Sequence, residues 1–254
     1  MPTTEWAQQS SFGVRFDWGA SGAEVVSSGC LVIVDVLSFT TSVTVAVERG
    51  TRVFPYRWRD STAGELAARE EAELAVGRSQ MSAASPWSLS PAALRLAPFT
   101  ERLVLPSPNG STIASSAGDN VTVVAGCLRN ATATGHGLTE RGWGTAERPV
   151  SVIAAGERWP DGGLRPAVED LLGAGAVIAA LHDRGRGPLS PEASAALAAF
   201  RATEDVRTAL ARCASGQELI TSGYADDVAI AAELDVTGAV PVLSSEAGFG
   251  HAWA

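Results

Sequence analysis

Cys30-Leu31-Val32-Ile33-Val34-Asp35-Val36-Leu37-Ser38-Phe39-Thr40-Thr41-Ser42 combines an apolar run of strand length, one carboxylate and a hydroxyl-rich turn. Residues 43–50 then read as a helix closed by Gly50. A strand–turn–helix junction of this kind aims unpaired backbone N–H groups at one point, where the helix dipole also favours negative charge. Ser38, Thr40, Thr41 and Ser42 add hydroxyl donors there, and Asp35 could hold a cation. The same residues fit a buried strand whose aspartate caps a loop, with serine and threonine as N-caps. The segment alone leaves both readings open.

Working outward, further strands are expected at 51–56, 102–105, 120–125, 150–155 and 239–243. Helical patterns cover 62–75, 91–97, 111–116, a segment after Asn130, 167–181, 191–213 and 216–234, with Pro166 at a helix start. Residues 77–91, rich in serine and proline, read as a long loop able to cover a crevice. Strands alternating with helices argue for an α/β fold with a mostly parallel sheet covered on both faces. In such sheets ligands collect beyond the strand ends. Four of those ends carry polar groups: Asp35 with Thr40 and Thr41, Asn109, Asn130 and Glu157.

The chain has 254 residues and a net charge of −9, and all 19 basic residues are arginine. A Schiff-base or P-loop lysine is therefore excluded. Net acidity argues against nucleic acid, which selects a basic face. It leaves room for a small anion, because a local arginine and a metal ion can reverse the field in one cleft. Cys30, Cys127 and Cys213 show no metal or disulfide spacing and fit reduced thiols in a cytoplasm. No apolar stretch is long enough to span a bilayer, so no membrane partner is expected. Residues 1–12 read as a flexible segment before one α/β domain over 13–254, or two closely packed lobes. A twofold homodimer is the default assembly.

Glu157 ends a strand, and Glu169 and Asp170 fall in the first turn of the next helix. With Asp35 they could supply the few carboxylates and open water positions that Mg²⁺ prefers; acids that merely complement a helix dipole look the same. Arg165 could pair bidentately with a phosphate, sulfonate or carboxylate, or lie on the surface. Asn109 and Asn130 could orient a phosphoryl oxygen or water, or serve as turn and cap. Cys127 lacks the arginine at 133 that a C-x5-R phosphatase would need, and reads as a small buried thiol. His136 reads as a surface histidine.

Several segments together resemble the 2-phosphosulfolactate phosphatase (ComB-like) family. They are Val32-Ile33-Val34-Asp35-Val36-Leu37 with Thr40-Thr41, Asn109-Gly110-Ser111, Gly126-Cys127-Leu128-Arg129-Asn130-Ala131, Ala155-Gly156-Glu157, the run from Arg165 to Ala176, and the stretch from Ser215 through Asp226-Asp227 to Val242. The resemblance implies a three-layer α/β/α fold and a Mg²⁺-dependent hydrolase that converts (R)-2-phospho-3-sulfolactate to 3-sulfolactate and phosphate. It makes Asp35, Glu157, Glu169 and Asp170 candidate metal ligands, and Asp35, Glu157 and Asn130 candidate catalytic groups. Thr40, Thr41, Asn109, Gly110 and Arg165 become candidates for binding the substrate. Three positions depart from the family pattern: Ser38 replaces an arginine, Ala84 precedes Ser85-Pro86 where an asparagine is usual, and Pro108 opens the Asn109-Gly110 turn.

The resulting expectation is a phosphomonoester hydrolase acting on a small, multiply anionic substrate. Glu157 would be the general base, and donors near Thr40 and Asn109 would stabilise the transferring group. The alternatives are the same fold acting on another phosphate ester, a sulfonate or a carboxylate, and a non-catalytic anion-binding module.

Overall fold

The run that opens the sequence reading becomes an inner strand of a 9-stranded mixed sheet. The computed structural model describes residues 5–26, 28–57, 61–118, 120–244, 247–251 and 253. Strands β1 (Val14–Trp18), β2 (Cys30–Val34), β3 (Arg52–Tyr56), β4 (Glu73–Leu74), β5 (Arg102–Pro106), β6 (Thr122–Gly126) and β7 (Val150–Ala154) come first. Among them lie helices α1 (Gly19–Val25), α2 (Phe39–Glu48), α3 (Ser61–Arg69), α4 (Pro91–Leu96), α5 (Gly110–Ser116) and α6 (Ala131–Glu140). A small hairpin, β8 (Glu157–Arg158) and β9 (Leu164–Arg165), leads into α7 (Val168–His182). Helices α8 (Pro191–Ala202), α9 (Val206–Arg212), α10 (Ala214–Thr221) and α11 (Ala225–Ala231) follow, then β10 (Pro241–Ser244) and β11 (Gly248–His251).

The strand order is β1-β7-β2-β6-β10-β11-β3-β5-β4. One parallel block, β1-β7-β2-β6, meets a second, β3-β5-β4, through the antiparallel hairpin β10–β11. Alternation along β2 divides the core between the two faces. Cys30, Val32 and Val34 join an apolar cluster that includes Val177 and Ile178 of α7, while Leu31 and Ile33 join another with Val43 of α2 and Ile113 of α5. Helices thus cover both faces, giving the three-layer α/β/α arrangement.

Several boundaries differ from the sequence expectation. The helical run 191–213 is two helices, because Asp205 leaves the helical path and its carboxylate caps α9 through Thr208 N–H at 3.1 Å. The run 216–234 breaks at Gly223, whose φ of +90° suits glycine. Helix α3 stops at Arg69, and Ala75 N–H bonds to Val104 O as β4 joins β5. Strands β1 and β11 had no counterpart in the sequence reading. Of the expected flexible segment, residues 1–4 lie outside the described residues. Farther along it, Gln9 exchanges two hydrogen bonds with the Phe16 backbone, 2.8 and 3.1 Å. Among the described residues no helix is long and apolar enough to cross a membrane.

Helices α7 and α8 cross at Gly175, where an added Cβ would overlap the Ala196 carbonyl and lie 2.7 Å from Phe200 Cβ. Gly175→Ala is therefore expected to destabilise the fold by about 1–3 kcal/mol. A urea melt checks this; an unchanged midpoint would show that the helices can part at no cost.

Candidate active site

The turn after β2 is built around Asp35. Its Oδ1 accepts the Phe39 N–H at 3.1 Å, and its Oδ2 accepts the Gly110 N–H at 2.9 Å. The starts of α2 and α5 are thereby both turned onto one carboxylate. Gly110 is required by this approach, since a Cβ there would overlap the Phe39 ring and come within 2.8 Å of Asp35 Oδ2. Thr40 Oγ1 donates to Asp35 O (2.9 Å) and Thr41 Oγ1 to Val36 O (2.8 Å). In this structure these buried hydroxyls donate to the turn's own carbonyls and fix its shape.

The second acidic group arrives from α7. Asp170 is buried, its Oδ1 accepting the Val36 N–H at 2.7 Å and its Oδ2 the Gly156 N–H at 2.8 Å. Glu169 beside it, also buried, accepts a hydrogen bond from the Cys213 thiol at 3.2 Å. Glu157 leaves the end of β7 and is half-buried, with Oε2 held by the Asn109 amide at 3.0 Å. A cavity of about 270 Å³ opens onto Asn109 and Glu157, walled also by Trp18, Thr112, Arg158 and Leu164. Of the four carboxylates picked from the sequence, Glu157 lines this cavity, whereas Asp35, Glu169 and Asp170 are buried, near enough for their charges to act on one another and on Glu157.

Two arginines flank them. Arg165 donates to Ser215 Oγ at 3.3 Å, and its guanidinium lies 5.7 Å from the Trp159 ring centre. Arg78, which the sequence reading passed over inside the 77–91 loop, donates from Nε to Asp227 Oδ2 (2.8 Å) and from Nη2 to Ser38 Oγ (2.5 Å). Of the two Ser-Pro pairs in that loop, Ser90-Pro91 is the one tied to this assembly, because Ser90 Oγ donates to Asp227 Oδ1 at 2.5 Å. Ser85 makes only a local turn with Ser82. Asp226-Asp227 was visible in sequence as an acidic pair, but nothing local tied it to residue 78.

Asn130 stands apart from the carboxylates. Its Oδ1 accepts the Cys127 N–H, and its Nδ2 donates to Ala125 O and Ala239 O. Saturated in this way, it ties the end of β6 to the segment before β10, and the geometry gives it no free group for catalysis. Cys127 is fully buried and burial raises its thiol, as expected of an inert side chain. His136 is exposed beside Glu140.

Crowding shapes the electrostatics. Burial, then the charge of Asp35, push the Glu157 carboxyl up to about 7, with Asn109 and Arg165 opposing. Burial pushes Asp35 up to about 6; the N–H donors Phe39 and Gly110 and the charge of Arg78 oppose this, and Glu169 adds to it. Asp170 is raised by burial and by Asp35 and Glu169, against its two backbone donors. The shared leading cause is burial, and an excess of neighbouring negative charge adds to it.

That excess bears on Mg²⁺. Among the described residues no three acidic, histidine or cysteine side chains already form a metal cage. Mg²⁺ needs only one or two carboxylates and keeps several waters. Glu157 and Glu169 each keep one oxygen without a hydrogen bond among the described residues. This all-oxygen donor set fits a water-rich Mg²⁺ site.

The site is thus a group of buried and half-buried carboxylates near the strand ends of an α/β sheet, with Arg78 and Arg165 beside it. A family model described as 2-phosphosulpholactate phosphatase matches residues 21–246, and the chain belongs to that family. It is a phosphomonoester hydrolase. A 2-phosphosulfolactate phosphatase of Methanothermobacter thermautotrophicus is 28% identical over 221 residues, covering 85% of this chain and 87% of that protein.

Asp35 and Glu157 keep their protons in the folded protein at pH values where the unfolded chain has released them. Their contribution to stability is therefore full below about pH 4, the unfolded range, and is lost as pH rises through about 6 and about 7. In chelator, the Tm is expected to fall across this window, and Glu157→Gln to flatten the fall near neutrality. A melt series from pH 4 to 8 tests it; a wild-type profile that the substitution leaves superimposable would remove Glu157 as its source.

Proposed function

We propose that this chain hydrolyses (R)-2-phospho-3-sulfolactate to 3-sulfolactate and phosphate with Mg²⁺ bound in the carboxylate crevice. The observation that carries the proposal is the meeting of Asp35, Glu157 and Glu169, brought from the ends of β2 and β7 and the start of α7, in a member of this family. The reduced thiols of Cys30, Cys127 and Cys213 suit a cytoplasmic setting.

Glu157 is the general base. A carboxyl raised to about 7 takes a proton efficiently near neutral pH, and Asn109 holds one of its oxygens so that the other can face a water. The water oxygen forms the new bond to phosphorus as the ester P–O bond breaks. The proton released by the water passes to Glu157, and the leaving alkoxide takes up a proton from solvent, to which Glu157 later returns its own. Arg165, whose charge acts on Glu157, would pair with the phosphoryl oxygens. The N–H groups of Phe39 and Gly110 are already spent on Asp35 and do not serve as an oxyanion site. A bound Mg²⁺, held by the free oxygen of Glu169 with Asp35 close by, would supply Lewis-acid polarisation of the phosphoryl group.

Phosphate release from 2-phosphosulfolactate is expected to stop in chelator and return with Mg²⁺. Glu157→Gln should lower kcat by about 10²–10⁴-fold. Asp35→Asn should abolish most of the turnover while the melt stays cooperative. Full activity in chelator would sink the metal, and a fully active Glu157→Gln protein would sink the base.

A further inference from the structure

Arg78 lies 40 residues from Ser38 and 149 from Asp227 in sequence, yet bonds to both. Its anchor is firmly built. Asp227 is 1% exposed, and its second oxygen accepts from Ser90 Oγ at 2.5 Å and Ala92 N–H at 3.1 Å. The guanidinium carbon also lies 5.4 Å from the centre of the Tyr224 ring.

These contacts use the Nε–H and one Nη2–H. Nη1 makes no hydrogen bond among the described residues, and the side chain is 17% exposed. The outer end of the fork, one N–H from each terminal nitrogen, therefore remains as a ready bidentate donor for a planar or tetrahedral anion. Its place is beside the turn after β2, because it bonds to Ser38, the residue before Phe39, whose N–H is held by Asp35. The charge of Arg165 is felt by Glu157, where attack on phosphorus is proposed. Two cations thus act on different carboxylates, Arg78 on Asp35 and Arg165 on Glu157, as a substrate with more than one anionic group would require.

We infer that Arg78 determines specificity by holding an anionic group that stays on the leaving alcohol, a carboxylate or sulfonate, with Asp227 as its positioning residue. The identity of the substrate rests on the phosphatase reading; the binding of an anion by Arg78 does not. An arginine that only tethered the 77–91 segment to α11 would place no demand on its outer edge, and this difference can be measured.

The experiment compares wild type, Arg78→Gln, Arg78→Lys and Asp227→Asn in steady-state hydrolysis of 2-phosphosulfolactate, and in calorimetric titration with 3-sulfolactate. Arg78→Gln is expected to raise KM by about 10–100-fold and weaken 3-sulfolactate binding by a similar factor, with kcat changed less than about threefold. Arg78→Lys should recover part of the loss, keeping charge without the fork. Asp227→Asn should raise KM by a smaller factor, again with little change in kcat. With 2-phospholactate, which lacks the sulfonate, a vanished Arg78→Gln penalty assigns the sulfonate and a persisting one the carboxylate; either supports the inference. A fall in kcat at unchanged KM would put Arg78 on the transferred phosphoryl group and overturn it. Unchanged KM and product affinity would overturn it too. If wild type releases no phosphate, the phosphatase reading fails and the titration alone decides Arg78. Binding of 3-sulfolactate lost in Arg78→Gln upholds the inference; equal binding, or none by wild type, overturns it. Should Arg78→Gln fail to fold, Ser38→Ala, which removes only the Nη2 acceptor, is read in the same assays for the same KM-only effect.

Discussion

Asp170 spans two strand ends, taking the Val36 N–H on one oxygen and the Gly156 N–H on the other. One side chain at the start of α7 therefore sets the spacing of the turns after β2 and β7. Asp35 performs the matching task across the crevice, gathering the N–H groups that begin α2 and α5. Four segments distant in sequence are held in register by two carboxylates acting as acceptors. Backbone N–H donors are the suitable partners here, because they stabilise a buried carboxylate without adding a mobile cation.

The same arrangement concentrates charge. Glu157 and Glu169 stand in the field of the two bridging aspartates, and the arginines nearby do not cancel it: Arg78 is shared with Asp227, and Arg165 sits at one end. The result is a pocket in which Asp35, Glu157 and Asp170 hold protons more tightly than usual. A proton and a divalent cation would compete for such oxygens, so the proposed base and the proposed Mg²⁺ site would have one electrostatic origin.

The floor of this site was legible in sequence because each part announced itself locally. Asp35 ended an apolar run, Glu157 ended another, and Glu169 and Asp170 opened a helix. The periphery was not legible. Arg78 and Asp227 meet across the fold, one from a loop and the other from a helix, with nothing local in sequence to join them. The hydroxyls of Thr40 and Thr41 were visible, but not that they would fold back onto the carbonyls of Asp35 and Val36. Asn130 looked like a ligand group for the same reason; its three partners come from both sides of the β6 turn and from Ala239, out of reach of local reading. In the fold, β1 was missed because Arg15 and Asp17 interrupt its apolar pattern, and the helical run over 191–213 hid the cap at Asp205.

Floor and periphery also differ in what a substitution can change. Every oxygen of Asp35 and Asp170 is engaged by backbone, so altering either disturbs the strand-end geometry on which the other carboxylates depend. Arg78 reaches the crevice from a loop and is anchored on α11 through Asp227, with Ser38 only its near contact. A change there can alter which anion is recognised while the bridging carboxylates, and with them the positions of Glu157 and Glu169, stay in place. Chemistry in this fold is therefore tied to the sheet, whereas recognition is tied to a segment that leaves it, and the two can vary separately.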